Sequence, residues 1–202
     1  MYTSIQIYCS SLVKNFHSLL NERKVILNEI AAYIKTQLEN SKPVNLIYIC
    51  THNSRRSHFG QIWAAVAAKY YNIQNVRTFS GGTEATAFNP NAIHSLERLG
   101  FHVEKSGSES NPLYKMFYSN DDFVTCFSKV YSDSNNPSNG FAAIITCTDA
   151  DEKCPIVKGA AIKIATPYDD PKKFDGTEIE SAKYDERCRQ IALECLYVFS
   201  LI

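Results

Sequence analysis

Apolar and polar positions fall into blocks along this chain, and each block carries the period of one element. Val44 to Ile49 is nearly all apolar and β-rich, the pattern of a parallel strand covered on both faces. From Ser57 the spacing changes to Ile62, Trp63, Val66, Ala67 and Tyr70, one face of a helix, with Ser57 where an N-cap or first-turn residue belongs. Upstream, residues 1–42 read as two helices. The first runs from Ile5 to Leu20; the second repeats Ile26, Ile30, Ile34 and Leu38 at every fourth position and is ended by Pro43. Downstream, Asn75 to Phe79 predicts a second strand, after which Ser80, Gly81, Gly82 and Thr83 turn away into an exposed loop. Asn89 as N-cap, Pro90 in the first position, the apolar Ala92, Ile93, Leu96 and Leu99, and Gly100 behind them specify a helix. Leu113 to Tyr118 and Phe123 to Phe127 alternate like the strands of a hairpin around Ser119, Asn120 and Asp121. Ser132 to Gly140 is a polar loop. Phe141 to Thr146 and Ala161 to Ala165 complete the core strands, and Thr177 to Phe199 is a closing helix with Tyr184, Cys188, Ile191, Cys195 and Phe199 on one side.

Strands at Val44, Asn75, Phe141 and Ala161, alternating with helices, specify an α/β fold: a small four-stranded parallel sheet wrapped by helices. Residues 1–43 are expected to form an N-terminal helical extension and residues 44–202 the α/β domain.

Composition narrows the partners. At 202 residues and 45% hydrophobic the chain is long enough for one well-cored domain. Twenty-one basic and twenty-one acidic residues cancel, so no global field draws the protein to nucleic acid or to an anionic membrane, and any anion preference is local. Lys14 and His17 interrupt a first stretch of modest apolarity, and no long uncharged apolar run follows, so no membrane span is expected and the cytoplasm is the expected location. Seven cysteines, an odd number, then argue for reduced thiols rather than a disulfide scaffold.

The chemistry concentrates between the first core strand and its helix, in Cys50, Thr51, His52, Asn53, Ser54, Arg55 and Arg56. A loop at this place directs free backbone N–H groups at one point, with the positive end of the helix dipole behind them, and an oxyanion fits there. The same field stabilises thiolate over thiol at Cys50. Arg56 offers a planar fork to two oxygens of a tetrahedral anion, and the Ser57 hydroxyl is placed to donate to the sulfur. Residues 51–57 are thus the expected oxyanion cradle. Glu84 and His94 read as a solvated loop carboxylate and a helix-surface histidine. A second thiol, Cys147, ends its strand as Cys50 ends the first, and strand C-termini in parallel sheets converge on one edge. Cys154 lies seven positions on, a separation that suits neither a zinc site nor a C-x-x-C turn, so no metal is expected. Alone, the pair reads equally as two unrelated thiols, although a flexible polar loop between them could bring one onto the other. Asp170 precedes Pro171, which pushes it into an extended, aimed conformation.

Cysteine, five residues, arginine and serine, set between a strand and a helix with Asn53 and Ser54 inside, resembles the signature loop of the low-molecular-weight protein tyrosine phosphatase superfamily, which includes the thioredoxin-coupled arsenate reductases. SGGTEATAFNPNAIHSLERLGF and CTDADEKCP are similar to the corresponding segments of the arsenate reductases. The resemblance spans most of residues 44–200, faintly over 105–140, and implies a flavodoxin-like winding in which residues 105–140 are an insertion, expected at the substrate entrance. It implies Cys50 as nucleophile, Arg56 as anion holder, Asp170 as general acid, and Cys147 with Cys154 as resolving thiols that pass oxidation to thioredoxin, with no bound cofactor. His52 stands where the family has a small residue, Arg55 precedes the signature arginine, and Lys172 and Lys173 replace the aromatics that follow Asp-Pro in tyrosine phosphatases. Three functions follow as expectations: an arsenate reductase; a phosphatase acting on phosphate monoesters or phosphoproteins; or an oxyanion or thiol sensor, which needs Cys50 and Arg56 but has no use for Asp170.

Overall fold

The apolar run from Val44 becomes β1 (Val44–Cys50), with six of its seven residues buried, in a computed structural model that describes residues 1–153 and 156–202, Lys153 by its backbone alone. It lies inside a parallel sheet with β2 (Val76–Gly82), β6 (Phe141–Ile145) and β7 (Ala160–Ala165), in the order β2-β1-β6-β7. The N-terminal helices are α1 (Thr3–Val13) and α2 (Asn21–Glu39); α3 (Arg56–Tyr70) follows β1, α4 (Pro90–Arg98) follows β2, and α6 (Glu180–Ser200) closes the chain. The residues of β1 serve two cores. Val44, Leu46 and Tyr48 join a large cluster with Trp63, Tyr184, Leu196 and the apolar sides of α1 and α2, whereas Ile47, Ile49 and Cys50 face a smaller one with Phe141, Ile145, Cys147 and Val157. The four-stranded parallel sheet and the N-terminal helices are therefore as the periodicity predicts. Among the described residues, no helix is long and apolar enough to cross a membrane.

Four local readings are corrected. The first helix stops at Val13 and a 3-10 turn follows at Phe16–Ser18, leaving Leu20 exposed at the foot of α2. Gly81 and Gly82 do not turn into solvent but are buried at the end of β2, where Gly82 lies opposite Cys50. A Cβ on Gly82 would sit 2.6 Å from the Thr51 carbonyl and 2.8 Å from the Asn53 nitrogen, so glycine is what lets the strand approach the Cys50 loop. Ahead of the predicted hairpin, β4 (Leu113–Phe117) with β5 (Phe123–Cys126), stands an unforeseen strand, β3 (His102–Ser106), and the three form an antiparallel sheet. The polar stretch after Cys147 is a short helix, α5 (Thr148–Lys153), and not a loop. Gln61 of α3 joins the two sheets: its amide donates to Thr78 O (3.3 Å) and Thr125 O (3.1 Å) and accepts from the Cys126 thiol.

The first turn of α3 carries a fully buried histidine. His58 stacks on Phe88 with ring centres 4.0 Å apart, and its Nδ1 lies 3.1 Å from Ser80 Oγ. Burial, reinforced by the Lys129 charge, holds its pKa down at about 3, against an ordinary 6.5. Between those values the unfolded chain binds a proton that the folded chain refuses, so the stability from neutral His58 is complete above pH 6.5 and is lost as pH falls toward 3. Denaturant titrations at pH 6.5 and 5.0 should show wild type losing roughly 1.5 kcal/mol more than His58→Gln over that interval. Parallel losses would take His58 out of the acid response.

Candidate active site

Cys50 ends β1, 3% exposed, with its sulfur 3.1 Å from Ser57 Oγ. Asn53 Nδ2 donates to that hydroxyl at 2.9 Å, which leaves the hydroxyl hydrogen for the sulfur. Asn53 has φ 44°, in the left-handed region that asparagine tolerates better than most residues, and its Oδ1 accepts the Lys129 N–H at 2.9 Å. The loop's carbonyls are taken up by the segments behind it. Thr83 N–H donates to Cys50 O, Glu84 N–H to Thr51 O, Ser128 and Thr86 hydroxyls to His52 O, and Asn89 N–H to Ser54 O. The carbonyls of Cys50, Thr51, His52 and Ser54 are thus all engaged by the protein. The helix that supports it begins at Arg56, so Ser57 is a first-turn residue and Arg55 the N-cap.

The two arginines do different work. Arg56 Nη1 donates to Tyr168 O at 2.8 Å and Nη2 to Asp170 Oδ2 at 2.7 Å, while its Nε is buried without a partner. Arg55 is also buried and reaches away from the loop: its Nε donates to Tyr184 Oη at 2.7 Å, and Nη2 pairs with Asp175 Oδ2 at 3.5 Å. It still lies 4.0 Å from Asp170 Oδ1. Asp170 caps the 3-10 turn Pro171–Phe174, accepting the Lys172 N–H at 3.0 Å, as the Asp-Pro spacing suggests. His52 stands at the rim, half exposed, with Nε2 3.8 Å from the Glu84 carboxylate.

The parallel pairing of β1 with β6 brings in a second thiol. Ile49 pairs with Ile145, and two residues beyond each, Cys147 Sγ lies 3.5 Å from Thr51 Oγ1 with Cys147 only 2% exposed. Cys154 lies outside the described residues. Burial pushes the thiols of Cys9, Cys126, Cys188 and Cys195 up to about 12, and each is packed as core; Trp63 Nε1, for instance, donates to Cys188 Sγ at 3.1 Å. Among the described residues, no three His, Cys, Asp or Glu side chains form a group that could hold a metal ion. Three residues carry no sign in the sequence of their role at this site. Tyr168 acts through its backbone carbonyl, which no side-chain pattern announces, and Tyr184 and Asp175 meet Arg55 only after α6 folds back on the loop.

No protein-family profile matches the chain. Among curated proteins it is 26% identical over 144 residues to an arsenate reductase of Bacillus subtilis, covering 71% of this chain and 86% of the relative. It is 29% identical over 138 residues to arsenate reductase 2 of Staphylococcus haemolyticus, covering 68% and 86%. In structure it aligns with a low molecular weight phosphotyrosine phosphatase from Vibrio cholerae at a TM-score of 0.52 and 11% identity, covering 78% of this chain and 94% of that one. A mutant of YwlE from Bacillus subtilis aligns at a TM-score of 0.52 and 12% identity, covering 78% and 97%. In sequence the chain is thus similar to curated arsenate reductases, and in fold it is similar to solved low-molecular-weight phosphotyrosine phosphatase structures.

Proposed function

We propose that the protein is a thiol-dependent arsenate reductase, with residues 44–202 as its catalytic domain. The observation that carries this reading over a plain phosphatase is the place of Cys147, beside Thr51 at the sheet edge that holds Cys50. Hydrolysis of a phosphate ester needs one thiol there; reduction needs two. Curated relatives named arsenate reductase support the same choice.

Arsenate enters the cradle of residues 51–57, and the buried, unpartnered Arg56 Nε supplies a donor for one of its oxygens. Cys50, accepting a hydrogen bond from Ser57, attacks arsenic as thiolate. Asp170 protonates the departing oxygen, which leaves as water. Both Asp170 oxygens accept hydrogen bonds, one of them from Arg56. An anion that takes over the Arg56 fork therefore frees Asp170 for its proton transfer. Cys147 then attacks Cys50 Sγ; the S–As bond breaks with its electron pair passing to arsenic, so As(V) becomes As(III) and arsenite leaves a Cys50–Cys147 disulfide. Cys154 thiolate attacks Cys147 Sγ, which returns Cys50 as thiolate and places the oxidation on Cys147–Cys154 for an external dithiol such as thioredoxin. The second reading, a low-molecular-weight phosphatase for phosphate monoesters or phosphoproteins, uses Cys50, Arg56 and Asp170 alone. It is favoured by the ordering of Thr148–Lys153 as helix, a segment that ester hydrolysis does not require to move.

Cys50 should be the most reactive thiol. In site-resolved iodoacetamide labelling below neutral pH it is expected to react well ahead of Cys188 and Cys195, whose burial keeps them protonated, and arsenate or phosphate should protect it. Equal rates at the three sites would remove the prepared-thiolate basis of this function.

Asp170→Asn should depress hydrolysis of an aryl phosphate with a basic leaving group by roughly a hundredfold or more, and that of one with an acidic leaving group far less. Equal losses on both esters would take Asp170 out of the acid role.

Cys154→Ser should trap a Cys50–Cys147 disulfide after one turnover, and Cys147→Ser should stop arsenite release while sparing ester hydrolysis. Arsenite formation with thioredoxin, thioredoxin reductase and NADPH, with mass mapping of disulfides in each variant, checks both. A wild-type protein that hydrolyses aryl phosphate, makes no arsenite and links none of these cysteines is the phosphatase of the second reading.

A further inference from the structure

Tyr168, which presents its carbonyl to Arg56, is held at three further points. Its N–H donates to Thr146 O at 3.1 Å, its phenol donates to Glu194 Oε2 at 2.7 Å, and the Arg23 guanidinium lies over its ring, 4.7 Å from the centre. Arg23 belongs to the first turn of α2 and donates from Nε (3.0 Å) and Nη2 (2.8 Å) to the same Glu194 oxygen, while Gln190 of α6 donates to the other at 3.2 Å. Glu194 is 2% exposed. A carboxylate so buried is costly without a hydrogen-bonded cation, and Arg23 is the cation that reaches it. Burial and then the Glu194 charge push the Tyr168 phenol well above its ordinary pKa, so it remains a donor. Arg23, Glu194, the Tyr168 side chain, the Tyr168 carbonyl and Arg56 thus form one unbroken set of contacts. It runs from the N-terminal helices to the Cys50 loop, and Asp170 follows Tyr168 by two residues.

We propose that Arg23 is a positioning residue for the reaction at Cys50: through Glu194 and Tyr168 it fixes the carbonyl that aims Arg56 and the backbone that presents Asp170, which makes α2 part of the active-site apparatus. The inference rests on the reading of Cys50, Arg56 and Asp170 as oxyanion chemistry, but not on whether the anion is arsenate or a phosphate ester. A guanidinium is suited to this place because its plane covers the phenol ring while two of its N–H groups meet one carboxylate oxygen, which an ammonium group cannot do in that geometry.

The test compares wild type, Arg23→Met and Tyr168→Phe at a temperature well below every unfolding midpoint. Two readouts are taken: the ratio of kcat/KM for phenyl phosphate to that for 4-nitrophenyl phosphate, and the phosphate concentration that half-protects Cys50 from iodoacetamide. A merely structural role lowers the unfolding midpoint and leaves both unchanged. The proposal expects Arg23→Met to lower the ester ratio roughly tenfold or more, because small misplacement of a catalytic group carries losses of that order, and to raise the protecting phosphate concentration. Tyr168→Phe, nearly isosteric, should shift both in the same direction by less, and it decides the matter if Arg23→Met does not fold. Wild-type ratio and wild-type protection in the folded variants overturn the proposal. A wild-type protein that turns over neither ester and whose Cys50 no oxyanion protects instead removes the functional reading beneath it, which is a distinguishable failure.

Discussion

Arg56 is a guanidinium taken almost wholly out of water, and the cost of that desolvation organises the site around it. A buried cation of this kind is penalised by several kcal/mol unless acceptors surround it. The protein provides two, the Tyr168 carbonyl and the Asp170 carboxylate, and leaves the Nε–H unspent. Under the proposed function the anionic substrate competes with Asp170 for the fork, so one negative charge replaces another beside the guanidinium. The exchange is close to balanced in charge. It also couples two events that chemistry needs together, because the group displaced from Arg56 is the one that must carry a proton to the departing oxygen.

The loop before Arg56 keeps its shape through contacts that are mostly backbone. Its carbonyls accept from Thr83, Glu84, Thr86, Asn89 and Ser128, residues that arrive from two separate segments. Gly82 permits the closest of these approaches, and Asn53 bridges the loop to Lys129 on one side and Ser57 on the other. The Ser57–Cys50 contact is thereby set by chain running from residue 80 to residue 130 as much as by the helix that carries Ser57. The small antiparallel sheet is tied to the same core by Gln61, which satisfies a carbonyl in each sheet with one side chain.

What the sequence discloses here follows from the range of the interactions. The apolar run of β1, the helical period of α3, the Asn89-Pro90 cap and the Cys50-to-Ser57 loop are local patterns, and each appears where it was read. Gly81-Gly82 reads as a turn because glycine pairs usually are turns; its true cause, the packing of a strand against a loop from elsewhere, has no local sign. The strand His102–Ser106 escaped because four of its five residues are exposed, leaving no apolar alternation to detect. Thr148–Lys153 did carry a sign, an opening threonine with acids in the first turn, which favour a helix N-terminus over a loop. The Arg23–Glu194 pair joins residues 171 positions apart, a distance at which periodicity says nothing.

That short helix is where the two functional readings make opposite physical demands. A phosphatase gains by keeping α5 fixed, since nothing in its cycle requires Cys147 to leave the sheet edge. A reductase must let Cys147 and Cys154 meet. Between these two thiols in the chain lies the helix Thr148–Lys153. Six residues are far fewer than a helix needs to stand alone. Among the described residues, α5 is secured by one buried apolar side chain, Ala150, and the contact of Lys163 with Asp151, through its carboxylate at 2.6 Å and its carbonyl at 3.2 Å. Burying an alanine contributes about 1 kcal/mol and a half-exposed ion pair less than that, so melting α5 costs little beside the free energy that thiol exchange can supply. Under the reductase reading α5 must therefore be helical at rest and give way once Cys147 has reacted, a demand its few contacts can meet, whereas the phosphatase reading asks only that it stay as it is.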